Sequence, residues 1–537
     1  VQLFYSRRIG ERLSGLDTGA ETTTDSGEPA TVRDTPLAVP IWGAARVTGK
    51  LSRAITIAAI DALTGPEVVD VRSESGVDQT VEPVSIRNYA AARGKYSLGG
   101  SSYLGFMATA HTRGVRVDNP ERDHDAYAES IDGRWVRKDG TYRLYFHVAA
   151  SHRVGGPSYY ERSGPGGAAC TPATCTHLAR ADGTLQRPGD VGSGGVMGGG
   201  KVGGNWTIWG NYAFRSPRFD VNDVGVDSNW DYHQGYLDLG WRHQERFGVV
   251  QNINVNLRGT GQWGFDGARR NGNVQLLAGA LFTNFWSADM SLLRIVPGRY
   301  TRRETSDGAR YEQPSGVQAY LAGSTDSRRQ IIGGGYATVT AATNDSAWRA
   351  AAGASLRLRT TEQLQLSLDA GYQRSHGDLR FFSCTATDGR SCSVMSAQRD
   401  YLFSRLDSGS LSVTSRGTWA MSTTMSLEAY AQLFAGRARY RDAHLLAGAL
   451  GAKPFLRRAD IVASPENNGA LAGSNFSFTS LNVNLLWRWE FKPGNTLIAV
   501  YTRATNADRS RPVLSIRGLR GSRTEEVGLV KLSLLFQ

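Results

Sequence analysis

Long hydrophobic runs are missing from this sequence. The longest, such as Leu276 to Phe282, fall well short of the ~18 to 20 apolar residues a membrane helix needs, which excludes helical spanning but not a membrane β-barrel. Proline is scarce, 17 residues in 537, beside 63 glycines, and glycine without proline is not the composition of a linker. Lysine is nearly absent. Of 61 basic residues 54 are arginine, whose planar fork suits phosphate or lipopolysaccharide, although codon bias is the simpler cause. Nor does one sign of charge dominate: 49 acidic residues interleave with the basic ones to leave a net +12, and no nucleic-acid module is visible, so no nucleic-acid partner is expected. Val1 to Gly10 lacks a cationic start followed by an apolar run, so the chain reads as starting mid-protein or after processing.

Cysteine is equally rare. The four fall as local pairs, Cys170/Cys175 and Cys384/Cys392, each in a stretch rich in Gly, Ser, Thr and Asp. Two short-range pairs predict two disulfide staples and an oxidising compartment. A shared zinc site with His177 is the competing reading, but the spacings do not match a two-residue knuckle and the pairs are far apart. No metal and no cofactor is expected.

What the sequence does have is alternation. Segment after segment reads apolar and polar with period 2, the pattern of strands. Leu481, Val483, Leu485, Trp487, Trp489 and Phe491 fall on one face, and Asn482, Asn484, Arg488 and Glu490 on the other. Ile253, Val255 and Leu257 likewise oppose Asn252, Asn254, Asn256 and Arg258, and Leu237, Leu239 and Trp241 oppose Asp238 and Arg242. A soluble sandwich would alternate too, but its strands average about five or six residues. The segments here are about nine to twelve long, the length of a tilted bilayer-crossing strand. Trp and Tyr recur near their ends, as at Trp42, Trp135, Trp206, Trp263, Trp286, Trp419 and Trp487, where an aromatic girdle would lie.

Connections decide the architecture. Short ones, such as Gly99 to Ser101, Lys138 to Thr141, Gln244 to Gly248 and Lys492 to Asn495, alternate with long ones, such as Arg8 to Ala38, Thr64 to Pro83, Arg153 to Ser193, Ser375 to Arg399 and Asp442 to Ser474. A short link near Asn344 is the exception. Outer-membrane barrels have short periplasmic turns and long extracellular loops. Both cysteine pairs fall in long connections. The end of the chain, with Val530, Leu532, Leu534 and Phe536 on one face, resembles the terminal strand of such barrels. The predicted fold is all-β: one transmembrane antiparallel β-barrel domain over 1–537, of about 22 strands (about 20 to 24), in the bacterial outer membrane with its lipid and lipopolysaccharide as partners.

Five stretches carry a family resemblance: LFYSRRIG from Leu3 to Gly10, SPRFDVNDVG from Ser216 to Gly225, YLFSRLDSGSLSVT from Tyr401 to Thr414, SLEAYAQLF from Ser426 to Phe434, and WRWEFKPGNTLIAVYT from Trp487 to Thr502. Together they resemble the DUF5916 family. The resemblance implies a large outer-membrane barrel preceded by a periplasmic carbohydrate-binding-like domain. That upstream domain is absent from this chain, and the resemblance implies no reaction.

A barrel of this width cannot fill its interior with its own side chains. The expected lumen-lining residues are Arg87, Arg93, Lys95, Arg143, Arg258, Arg405, Asp407, Arg488, Glu490 and Lys531. A cationic, wet lumen favours anionic or polar solutes. The plainer reading is cross-strand pairing that keeps the wall solvated, which suits Arg405/Asp407 and Arg488/Glu490, each pair two residues apart. The long connection from Arg153 to Ser193 is the candidate for a folded-in constriction or a partner-binding surface. Asp123-His124-Asp125 is the candidate for catalysis at the rim, with partners required from other loops. Gly198-x-Gly200-x-x-Gly203 matches a dinucleotide fingerprint in letters only, since a strand follows it and not a helix. The expected function is non-enzymatic: a wide pore or gated export conduit. The alternatives are a non-conducting anchor of a periplasmic or surface protein complex and, behind that, a rim hydrolase.

Overall fold

The computed structural model describes every residue except 1, 12–20, 25–27, 36–38, 85, 114–123, 156–177, 180–184, 187–188, 228, 303, 306, 388–391, 393–397, 452–453, 512, 515–518, 520–521 and 534–537. Cys170, Cys175, His177, Asp123 and the final residues from Leu534 therefore lie outside the described residues.

Period-2 alternation leaves the pleated strand as the conformation that gathers apolar side chains on one side. One large antiparallel sheet of 22 strands results. Its strands pair with their successors in chain order, from Ile41–Lys50 against Ile55–Thr64 to Asn495–Arg509 against Arg523–Ser533. The two-residue strand Val462–Ala463 departs from this order by pairing beside His444 and Leu445, above the point where Phe476–Lys492 takes over as neighbour. Among the described residues no ladder joins Ile41–Lys50 to Arg523–Ser533. Among the described residues no helix is long and apolar enough to cross a membrane.

Register sorts the side chains cleanly. Leu104, Phe106, Ile131, Leu144, Phe146 and Val148 stand exposed on one face across three neighbouring strands. Arg93, Asp132, Asp238 and Arg258 stand on the other. The apolar faces expected for Phe476–Lys492, Val250–Trp263 and Tyr232–His243 keep their register, with Leu485, Leu257 and Leu237 all exposed.

Short and long connections gather at opposite ends of the sheet. Besides the link near Asn344, a second short one, Gly264 to Ala268, lies at the long-connection end. Three strands run to about twice the expected length: Leu364–Ala386 and Gln398–Ala420 have 23 residues and Met425–Leu450 has 26. At roughly 3.3 Å per residue, their extra length projects about 30 Å past neighbours such as Trp348–Arg359. Segments expected to be loops form small sheets at that end. Pro29–Asp34 pairs with Glu67–Ser73, and Arg310–Gln313 lies between Arg299–Thr301 and Phe455–Leu456.

Side-chain packing is concentrated there too. Tyr311, Leu379, Tyr401, Phe403 and Leu456 form one buried cluster against the projecting strands. Leu3, Phe219 and Val221 pack on Ala128 and Ala149, and Val224 packs on Ala62 and Tyr89. Those wall residues share the face of Arg93 and Asp132. The cysteine pair Cys384–Cys392 is a disulfide, with Cα atoms 5.5 Å apart.

Candidate functional site

The polar face is covered at the long-connection end and exposed toward the short turns. Its cover has two parts. The first joins the segment Gln2 to Gly10 to the connection Ser216 to Asp231. Val226 donates to the Gln2 carbonyl at 2.7 Å and the Tyr5 amide donates to the Val224 carbonyl at 2.7 Å. Glycine permits this approach: a Cβ on Gly225 would lie 2.3 Å from the Gln2 oxygen, and one on Gly192 would lie 2.3 Å from Phe219 Cα. The connection is braced internally, because the Asn222 and Asp227 amides donate to Asp220 Oδ1 and Asn222 Oδ1, and Arg215 pairs with Asp227 at 2.8 Å. The Asp220 amide donates to Ser151 on the sheet at 3.0 Å.

Asp223 anchors the connection to the wall by charge. His124 Nε2 lies 2.7 Å from its Oδ1 and His111 Nδ1 lies 4.0 Å away, while Arg153 Nη2 lies 3.1 Å from His124 Nδ1. Both histidines are buried. Burial alone would raise the Asp223 carboxyl, but the hydrogen bond from His124, with His111 and the Arg153 guanidinium close by, holds it well below the usual carboxylate range.

This geometry limits the chemistry. With Arg153 donating to Nδ1, His124 must carry its proton on Nε2 and donate it to Asp223. Both ring nitrogens are then engaged, and the expected role for His124 as a base at the rim has no lone pair to offer a substrate. The ligand atoms of His111, His124 and Asp223 lie within 4.8 Å of one another, as a metal site would require. Metal ligation through Nε2 would move the proton to Nδ1 and set it against the Arg153 guanidinium, so the donor set fits an ion-pair clasp better than a metal centre. A second such group, Asp307 with Cys384 and Cys392, offers no thiolates because the sulfurs are bonded to each other.

The second part of the cover is a lattice of arginines and carboxylates over the projecting strands. Arg302 bridges Asp231 and Asp266, Arg270 pairs with Asp231 at 2.7 Å, and Arg310 Nε with Asp266 at 2.8 Å. Asp345 is held between Arg405 and Arg458, and Arg458 donates to the Tyr311 hydroxyl, which donates to the Leu379 carbonyl at 2.6 Å. Burial would raise Asp266, yet hydrogen bonds and charge from Arg302 and Arg310 bring it down to about 2.

The residues singled out from sequence are dispersed. Arg93 pairs with Asp132 across the intervening strand Ser102–Arg113, Arg258 pairs with Asp238 across neighbouring strands, and Lys95 lies over the Tyr103 ring at 4.3 Å. Arg143 and Lys531 are exposed, and Arg87 is buried near the long-connection end. Arg488 lies 3.8 Å from Glu490, as its position two residues away suggested. Arg405 and Asp407 do not pair with each other: Arg405 takes Asp345 at 2.6 Å, while Asp407 takes His376 at 3.0 Å and Arg441 at 2.9 Å. Asp407 also falls on the strand side of Leu411, which is opposite Tyr372 of the apolar face. Sequence reasoning missed Arg153 and Asp223. The Asp and Asn density of Ser216 to Gly225 signals a turn-rich segment, but nothing in it points to a histidine a hundred residues earlier.

An all-β sheet of this size, with one apolar face and one charged face capped at a single end, defines a class of large amphipathic sheet protein. The chain belongs to the DUF5916 family, a domain of unknown function that matches residues 1–515 and so nearly its whole length. Among curated proteins none matches it.

Proposed function

We propose that the sheet rolls into a wide outer-membrane β-barrel that works as a gated conduit, with the polar face lining water and the apolar face meeting lipid. The single observation that carries this reading is the disposition of the two faces. Large side chains such as Leu104 (47 % exposed), Phe106 (48 %) and Ile131 (56 %) are bare on one face, an arrangement that water does not stabilise. The opposite face is charged, internally paired and covered only at the long-connection end. That cover is the gate: the Gln2 to Gly10 segment, the Ser216 to Asp231 connection and the Asp223 clasp. The short turns then face the periplasm. Lipopolysaccharide and outer-membrane lipid are the surrounding partners, and no reaction is assigned.

Conductance of the purified chain in planar bilayers tests the proposal. Small or infrequent steps are expected from the unaltered chain, and large steps that scale with salt when the clasp is removed by Asp223→Ala. Silence from both proteins in several lipid compositions would reject a conduit and leave a non-conducting anchor.

A further inference from the structure

The outermost strands of the large sheet run in the same direction. Ile41 is opposite Thr64 at the long-connection end, and Lys50 is opposite Thr56 toward the short turns. Arg523 is opposite Asn506 at the long-connection end, and Ser533 is opposite Thr496 toward the short turns. Each of these strands has one hydrogen-bonded neighbour among the described residues. Both are bare: all ten residues of Ile41–Lys50 are exposed, as are Thr524 to Ser533, with Val47 at 63 % and Val530 at 73 %. Long uncovered edges template pairing with another chain, and native proteins cover them or blunt them.

Direction decides what fits between them. Every other ladder in this sheet is antiparallel, whereas these edges could meet each other only in parallel. One strand running from the short-turn end to the long-connection end is antiparallel to both. It would also bring the full-length strands to an even number: the 22 strands include the two-residue Val462–Ala463, which leaves 21 of full length. Single-chain bacterial barrels have even counts. Such a strand leaves the sheet at the long-connection end, where Gln2 is bridged to Val226.

We propose that the seam between Ile41–Lys50 and Arg523–Ser533 is filled by one strand of the same polypeptide lying ahead of Gln2, about ten residues long and alternating apolar and polar. This rests on the barrel reading above, and it places the Gln2 to Gly10 segment downstream of a wall strand, with the link between them crossing to Leu3, which packs on Ala128 and Ala149.

Paired cysteines on the apolar face, Ala45→Cys or Val47→Cys with Gly528→Cys, Val530→Cys or Leu532→Cys, test it in the full-length protein, with cross-links located by mass spectrometry. An intervening strand sets the two edges about 10 Å apart. The expected result is bridging within one chain by a bismaleimide of that span and no direct disulfide for any pair. A direct disulfide would show the edges pairing with each other, cross-links between two chains would assign the seam to a second copy, and no cross-link at all would separate the edges; each overturns the proposal. Amide exchange supplies the source. Ile41–Lys50 should exchange at least tenfold more slowly in the full-length protein than in residues 1–537 alone, and equal rates would mean that no upstream segment covers it. Neither readout measures conductance, so the seam and the conduit fail or stand separately.

Discussion

Asp223 is held by groups that would each be costly to bury alone. His111, His124 and Arg153 come from three different strands of the wall, and the carboxylate comes from the connection that covers them. Breaking a buried pair by removing one partner leaves the other uncompensated, at a cost of about 3 kcal/mol or more. Asp223→Asn keeps the side-chain shape and removes the charge, so it is expected to loosen Phe219 to Val226 while leaving the sheet ladders intact. Amide exchange resolved by segment reads this directly. Asp266 sets the acid limit of the second part of the cover. Its folded pKa of about 2 lies below the usual carboxylate value, so its contribution is fully present above about pH 4 and is lost as pH falls through 2. A depression of that size amounts to about 2 kcal/mol. Protection of the turn from Gly264 to Ala268 should therefore persist at pH 3 and vanish near pH 2, and Asp266→Asn should remove the persistence.

Among the elements, the projecting strands show where alternation stops being informative. In the base of Leu364–Ala386, residues Leu366, Leu368 and Tyr372 alternate with polar neighbours and read as strand at once. Beyond Ser375 the same strand has folded segments on it in place of open apolar surroundings. Leu379 and Phe381 face the packed cluster while Arg380 pairs with Glu304 at 2.5 Å, and register shifts after Ser375 and Phe381 move the apolar positions from even to odd residues, so no single period runs through the stretch and it reads as loop. The long connections were legible as long, but not as sheets, because strands of two to seven residues leave too short a periodic trace, even where, as in Glu67–Ser73, burial alternates. The Cys384–Cys392 staple sits at the tip of this pair, next to the ladder positions Thr385 with Asp400 and Ala386 with Arg399. By chain entropy so short a bridge is worth about 2 to 3 kcal/mol. Replacing both cysteines by serine should fray those tip positions in amide exchange, while Leu366 with Gly417 and its neighbours at the base exchange as before.

For the molecule as a whole, the two faces predict opposite tolerance of charge. Phe106→Arg puts a cation on the apolar face and is expected to cost about 2 to 4 kcal/mol on folding into lipid vesicles. Gln365→Arg, exposed on the polar face, should cost almost nothing. Equal costs at the two positions, measured by denaturant titration of the vesicle-folded protein, would mean that lipid does not cover the apolar side. The face assignment was legible in the sequence because one residue's shift inverts every side chain, and only one register satisfies so many strands at once. The clasp was not, because its members are polar residues from separate elements that only the folded cover brings together.

The cover's placement at one end also gives the proposed channel sidedness. A solute arriving from the short-turn side enters an open vestibule before it meets any obstruction, whereas one arriving from the opposite side meets the obstruction first. A bulky polymer added to one bath should therefore block current far more readily than the same polymer added to the other, and the current should rectify with the sign of the voltage.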